Sequence, residues 1–235
     1  MDRRVMAICG FLIAAPPLAA AEEAAEGGPP PGPARGPYLS LEMSAGKPND
    51  PQAPGVYEAD LGFATGLRLG AGYGFDSLRL EGQLGSETFY LNNVNPVGGD
   101  AISESDTTGK LSGLVMMANL FYDFGTPGGT RPFVGAGIGF ARMKADYHGF
   151  YCSILPFGCW DGEQVVDGSD TVAAWQAMVG LSKPMRNGHG DWYIGYRYFE
   201  TADIGLNVVG YGPVTQEGVQ SHNVMLGWTL RLQSF

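Results

Sequence analysis

The sequence predicts an all-β chain, an eight-stranded antiparallel transmembrane up-and-down β-barrel. Three observations carry this. Large apolar side chains recur with period two in eight segments. The face opposite them is rich in glycine. Short and long links between segments alternate strictly. Alternation of this kind is the strand period, since successive side chains point to opposite faces.

The segments follow in chain order. Tyr38 to Ser44 alternates Leu39, Leu41 and Met43 with Ser40, Glu42 and Ser44. Leu61 to Phe75 sets Leu61, Phe63, Leu67, Leu69, Tyr73 and Phe75 against Gly62, Gly66, Arg68, Gly70, Gly72 and Gly74. A water-soluble sandwich puts its large residues inside and polar ones outside. A face of glycine suits instead the crowded interior of a narrow barrel whose large side chains meet lipid. The third segment sets Leu78, Leu80 and Leu84 against Arg79, Glu81, Gln83 and Glu87. The pattern returns at Leu114 to Phe124, Phe133 to Ala141, Ala173 to Ser182, Trp192 to Phe199 and Asn223 to Leu232.

The links set the topology. Asp76-Ser77, Gly125 to Thr130 and Arg186 to Gly190 are short turns, whereas 45–60, 93–109, 146–170 and 200–219 are long. Short turns on one side and long loops on the other match an outer-membrane barrel with both termini periplasmic. Aromatics then sort into two belts. Tyr38, Phe75, Tyr122, Phe124 and Trp192 fall at the turn end, and Tyr90, Phe140, Trp175 and Tyr198 at the loop end.

Composition excludes other classes. Gly is 37 of 235 residues, only 16% of residues are charged and 11% are aromatic. A disordered chain is aromatic-poor and highly charged. Fourteen Lys and Arg against 24 Asp and Glu give a net charge of −10, which supplies no field for nucleic acid. Residues 1–21 read as a signal peptide: Arg3 and Arg4, an apolar run from Val5 to Leu18, then Ala19-Ala20-Ala21. Residues 22–37, rich in Pro, Gly and Ala, read as a periplasmic tether, leaving 38–235 as the barrel.

Several motifs carry a family resemblance. Arg131-Pro-Phe-Val-Gly-Ala-Gly-Ile-Gly-Phe140 resembles the fifth-strand signature of the opacity-type porin and surface-antigen family, relatives of the OmpA-type small barrel. Leu78-Arg-Leu-Glu81 resembles its third strand. Trp175-Gln176 with Val179-Gly180, then Tyr193-Ile-Gly-Tyr-Arg-Tyr-Phe199, resemble the two after the fifth, and His222-Asn-Val-Met-Leu-Gly227 its last. The family ends on an aromatic shortly after that glycine, whereas Leu232 stands there in this chain and Gln233-Ser234-Phe235 follow. The resemblance implies Gram-negative outer-membrane residence, exposed loops, and adhesion or envelope stability.

Candidate sites follow from phase and position. Arg68, Arg79, Glu81 and Arg197 fall on inward phases and are expected to share one lumenal charge network, with Gln83, Glu87, Asn119, Asp123, Arg131, Gln176 and Arg231 on the same face. Such a network fills an eight-stranded barrel. Loss of Glu81 would then leave buried positive charge uncompensated. Cys152 and Cys159 remain after signal removal and are expected to form a disulfide in the third loop, an oxidised pair in an exported chain. Tyr151, Phe157 and Trp160 beside them are candidate loop contacts.

No catalytic, cofactor or metal set is legible: His148, His189 and His222 lack metal-ligand spacing. Ser221 and His222 are adjacent and so point to opposite faces of a strand. Asp161-Gly-Glu163 and Asp167-Gly-Ser-Asp170 are read as solvated loop acids, because the twelve-residue calcium-loop pattern is absent. The function expected is non-enzymatic: envelope structure and display of loops, in contact with outer-membrane lipid, lipopolysaccharide and a surface protein partner. A small-solute channel and a lipid-A-modifying enzyme are the alternatives. The acidic loops are expected to repel polyanions and favour basic partners.

Overall fold

The computed structural model describes residues 36–96, 108–125, 129–153, 158–186, 189–208 and 212–232. The expected signal peptide, most of the tether, Phe157 and Phe235 lie outside the described residues. Eleven strands run β1 (Gly36–Pro48), β2 (Gln52–Ala53), β3 (Tyr57–Phe75), β4 (Leu78–Pro96), β5 (Thr108–Asp123), β6 (Arg131–Ser153), β7 (Gly158–Pro184), β8 (Gly190–Thr201), β9 (Ile204–Val208), β10 (Gly212–Gln216) and β11 (Gln220–Arg231). Eight of them, β1, β3, β4, β5, β6, β7, β8 and β11, pair antiparallel in that order, and β11 returns to β1. The ring is the predicted eight-stranded barrel. Closure leaves the eight ring strands without a free edge in the membrane, so their backbone polar groups are satisfied without water.

The two faces separate as the alternation requires. On the outside, Leu39, Leu69, Leu80, Met116, Ile138 and Val224 are 45–72% exposed. Arg68, Glu87, Gln176 and Arg197 on the inside are at most 1% exposed. An envelope this apolar is stable only against lipid. The glycine face makes room for the inward polar side chains. A Cβ on Gly66 would lie 2.6 Å from Glu87 Oε2, and one on Gly70 would lie 2.9 Å from Glu81 Oε1. At the turn end, Asp76 takes φ 53° in the two-residue link between Phe75 and Leu78. A short polar side chain tolerates that left-handed conformation, which tight hairpins require.

The structure corrects the sequence reading in four places. First, Gly36 and Pro37, expected in the tether, lie in β1. Second, the long links are largely strand. β6 and β7 stay paired from Arg131 opposite Ser182 out to Ser153 opposite Gly158, and 204–216 forms the β9–β10 hairpin. Third, Leu61 points inward and is fully buried. A bulge shifts the register where Leu61 faces Leu91 and Phe63 faces Tyr90. One extra residue reverses the phase of everything beyond it, and so Tyr57, Ala59 and Leu61 turn inside. Fourth, Tyr38 is 2% exposed and lies in the lumen rather than in the turn-end belt, because it shares the inward phase of Ser40 and Glu42. Phe75, Tyr122, Phe124 and Trp192 keep their belt positions and are exposed.

These phase changes give the lumen three layers. Phe121, Phe133, Met178, Tyr193 and Met225 cluster toward the turn end. Charged and amide side chains fill the middle. The outer third is an apolar core that includes Leu61, Phe89, Leu111, Met143, Ile204 and Leu206. The β9–β10 hairpin closes the mouth. Ile204, Leu206 and Val208 are buried, Val166 pairs with Val208, and the Tyr57 hydroxyl donates to Gln216 Oε1 at 2.7 Å. Burial pushes the Tyr57 and Tyr147 phenols above the usual tyrosine range, so both stay neutral.

Candidate functional site

The middle layer is built from side chains that strand pairing aims at the barrel axis. Glu87 is its hub: Arg68 donates to Oε1 through Nη2 at 2.5 Å and Nε at 3.2 Å, and Arg197 donates to the same oxygen at 2.8 Å. Arg197 also pairs with Glu42 and donates to Ser44 Oγ at 2.6 Å. Two guanidinium groups thus face two carboxylates, and the charges balance. An amide chain extends the cluster. Arg68 Nη1 donates to Gln176 Oε1 at 2.5 Å, Gln176 Nε2 donates to Asn119 Oδ1 at 2.6 Å, and the Tyr193 hydroxyl donates to Glu42 at 3.1 Å.

The four residues expected in one network divide into parts. Arg68 and Arg197 meet directly across Glu87. Glu81 joins that cluster through amides, since Gln83 Nε2 donates to it at 2.7 Å and Gln83 Oε1 accepts from Gln176 at 3.4 Å, and its carboxylate also attracts Arg79. Arg79 belongs to a separate group near the turn end. It donates to both Asp123 oxygens at 2.7 and 3.0 Å and lies over the Phe121 ring, 4.6 Å from its centroid. Below it, Asp191 accepts from Arg131 at 2.7 Å and Arg231 at 3.0 Å. Sequence reasoning left out Glu42, Asp191 and Tyr193 as network members. The inward phase of Glu42 beside Ser40 was the available signal; the Asp191 contact with Arg231 depends on the pairing of β8 with β11, and the Tyr193 contact with Glu42 on closure of β11 onto β1.

The division changes an expected mutational result. Glu81→Ala removes an acceptor of an amide bond and a carboxylate that attracts Arg79, whereas Arg79 keeps its bidentate Asp123 partner. The loss should therefore be nearer 1–2 kcal/mol than that of a broken buried ion pair, read as a small fall in the temperature at which the folded band disappears on an unboiled gel.

Little space is left along the axis. The cavity among Tyr38, Arg79, Asp123, Arg131, Asp191 and Tyr193 is about 20 Å³, enough for one water molecule.

The remaining candidates sort by face. Ser221 is fully buried and accepts from Asn223 Nδ2 at 2.9 Å, while His222 points outward, with Nδ1 2.5 Å from the Tyr196 hydroxyl. No Ser–His dyad forms. Asp170 receives the backbone N–H groups of Thr171 and Gly205 at 2.7 and 2.9 Å, which fastens the β9–β10 hairpin to β7. Among the described residues no three His, Cys, Asp or Glu side chains group as metal ligands. Val208, in the long link 200–219, is buried in the outer core.

At the far end of the β6–β7 ladder, Cys152 lies opposite Cys159 and Tyr151 opposite Trp160. Directly opposed strand positions bring Cβ atoms to about 4.5–5.5 Å, close to what a disulfide spans. We propose that the expected bridge forms between these two positions. Thiol labelling of non-reduced protein should find no free cysteine, and Cys152→Ser should cost the hairpin about 2–3 kcal/mol of local stability, seen as faster proteolysis between β6 and β7. Labelling of both thiols without reductant would exclude the bridge.

The fold and the sequence agree with known proteins. The model of the outer membrane protein beta-barrel domain matches residues 7–231. Among solved structures, Neisserial surface protein A is similar, with a TM-score of 0.53 and 19% identity, over 86% of this chain and 100% of that one. The outer membrane protein OprG from Pseudomonas aeruginosa is similar too, with a TM-score of 0.54 and 13% identity, over 86% of this chain and 99% of that one. No curated protein matches in sequence. With the family model spanning nearly the whole chain and a closed, lipid-facing ring of eight strands beneath it, the chain belongs to the outer-membrane protein β-barrel family and resides in the Gram-negative outer membrane.

Proposed function

We propose that this protein is a sealed, non-enzymatic barrel that braces the envelope and presents its outer β6–β7 hairpin to a surface protein partner. The observation that supports this most is the filled lumen: a charge-balanced polar middle under an apolar cap. A conducting pore needs a continuous wet path, and buried ion pairs with an apolar plug oppose one.

The hairpin supports the presenting role. Beyond Phe140 opposite Ala173, the ladder runs on to Ser153 opposite Gly158. At about 3.4 Å per residue, that is on the order of 40 Å along the strand, well past the membrane. Tyr151 and Trp160 near its tip are the kind of residue that anchors protein interfaces.

Two measurements test the reading. Purified protein in planar bilayers should show no porin-level conductance. Replacing 152–159 with a Gly/Ser linker should abolish binding of cells to their partner surface while the barrel still runs as a folded band. Sustained ion conductance would instead establish a channel. Altered lipid A masses in cells carrying the protein would establish an enzyme. Unchanged adhesion and envelope resistance with the linker would leave only a structural pin.

A further inference from the structure

Side chains near the turn ends of β1, β4, β5, β6, β7, β8 and β11 line the cavity of about 20 Å³ at the turn-end mouth of the lumen. Its cations are not served alike. Arg79 is paired in full, since both Asp123 oxygens accept from it. Arg131 is held at one corner: its Nη2 donates to Asp191 Oδ1 at 2.7 Å. Asp191 is itself shared, because its Oδ2 accepts from Arg231 at 3.0 Å. Arg131 Nε and Nη1 are buried and meet no hydrogen-bond acceptor among the described residues, on a side chain that is only 5% exposed.

The guanidinium groups of Arg79, Arg131 and Arg231 therefore share the two carboxylates of Asp123 and Asp191. Glu81 attracts Arg79 as well, but it does not line the cavity, and it accepts from Gln83 in the middle layer. The lining hydroxyls of Ser182 and Thr229 donate to the backbone carbonyls of Arg131 and Asp191. What remains at the cavity is one positive charge in excess and two buried N–H groups without an acceptor. On the turns around the mouth, Lys183 and Arg186, with His189 beside them, stand against Asp76. The local potential thus draws anions although the chain as a whole is acidic.

We propose that this cavity binds one small monovalent inorganic anion, of the size of chloride, on Arg131 Nε and Nη1. A buried guanidinium with two unmet donors is costly, and a neutral water would satisfy the donors without offsetting the charge. An anion does both. The size of the cavity selects the ligand further: it admits a single particle about as large as water, which excludes phosphate groups and the carboxylates of peptides. Arg79 and Arg231 are part-exposed at the edge of this layer, so the way in runs from the turn end and needs no path through the barrel. Once bound, the anion completes the pairing of Arg131 and ties the start of β6 to the Asp191 position on β8. The site is therefore a fastening of the turn-end mouth, and it draws on the ion content of the compartment outside.

The test uses the full chain folded in detergent, with sodium gluconate exchanged for sodium chloride at constant ionic strength. The temperature at which the folded band disappears should rise saturably, by about 2–4 °C when chloride reaches about five times its dissociation constant. Bromide should act as chloride does, and gluconate, too large for the cavity, should not. Ser182 stands directly opposite Arg131 in the β6–β7 ladder. Ser182→Asp places a fixed carboxylate there, and in gluconate it should reach the resistance that the wild type shows in chloride, with no further response to chloride. Arg131→Gln should also lose the response, whatever its own resistance to heat. Crystals soaked in bromide should show an anomalous peak at Arg131 in the wild type and none there in Ser182→Asp. Equal heat resistance in chloride and gluconate would overturn the proposal and leave the cavity to water. A chloride response that persists in Arg131→Gln, or bromide bound elsewhere with the Arg131 position empty, would overturn it too.

Discussion

Glu87→Ala is expected to destabilise the barrel by about 3–5 kcal/mol, the largest effect of any single substitution in the lumen. Glu87 is fully buried and accepts from Arg68 and Arg197 through one oxygen. Its loss leaves two buried guanidinium groups facing Glu42 alone, in surroundings where an unpaired charge cannot be hydrated. Heat denaturation in detergent, followed by the shift of the folded band, would read the loss. Arg197→Met combined with Glu42→Leu and Glu87→Met with Arg68→Leu replaces the whole ionic cluster with apolar groups of similar bulk, and should recover much of the stability, because removing a buried pair together costs far less than breaking it. If Glu87→Ala keeps wild-type resistance to heat, the cluster is not a buried ionic hub.

Ile138→Arg should be the second severe change, costing about 2–4 kcal/mol in a lipid bilayer. Ile138 is 72% exposed on β6 and lies inward of the loop-end belt residue Phe140, within the band that meets acyl chains. The same charge is tolerated naturally at Arg142, two outward positions further along the strand, where the wall reaches the headgroups. Reversible unfolding in vesicles should therefore separate Ile138→Arg from a neutral control such as Ile138→Val by most of this cost, while refolding in water-rich detergent should narrow the gap. Equal stability of the two in vesicles would mean that this face is not lipid-exposed at that depth.

Both predictions rest on phase, and phase was legible before any coordinates. The alternation of Leu67 and Leu69 with Arg68 and Gly70, repeated in eight segments, is enough to say which side chains face lipid and which face the axis. It also places Glu42, Glu87, Gln176 and Arg197 inside, because the strand period has no freedom once one residue is assigned. The proposed disulfide partners could be chosen because Cys152 and Cys159 are the two cysteines outside the expected signal segment.

Alternation fails where the strand itself is irregular. The bulge at Leu61 inserts one residue, and from that point outward Tyr57, Ala59 and Leu61 turn into the lumen. No local feature of the sequence marks this, since glycine is as frequent in the regular part of β3 as near the bulge. The folding of 204–216 back onto β7 and the burial of Val208 were not legible either.

Partner choice inside the barrel was equally beyond the sequence. Arg68, Arg79, Glu81 and Arg197 all face inward, yet whether Arg79 meets Glu81 or Asp123 depends on the shear between strands, which sets the height at which side chains from different strands meet. The sequence by itself determined the strand period, the eight strands of the ring, the lipid and lumen faces along their regular stretches, and the end at which the loops lie, because each is a local property of a pleated chain. The tertiary structure alone decided which carboxylate neutralises which guanidinium and how the outer mouth is sealed. Those outcomes are set by register, bulges and closure, and these are properties of strand pairs and of the ring as a whole.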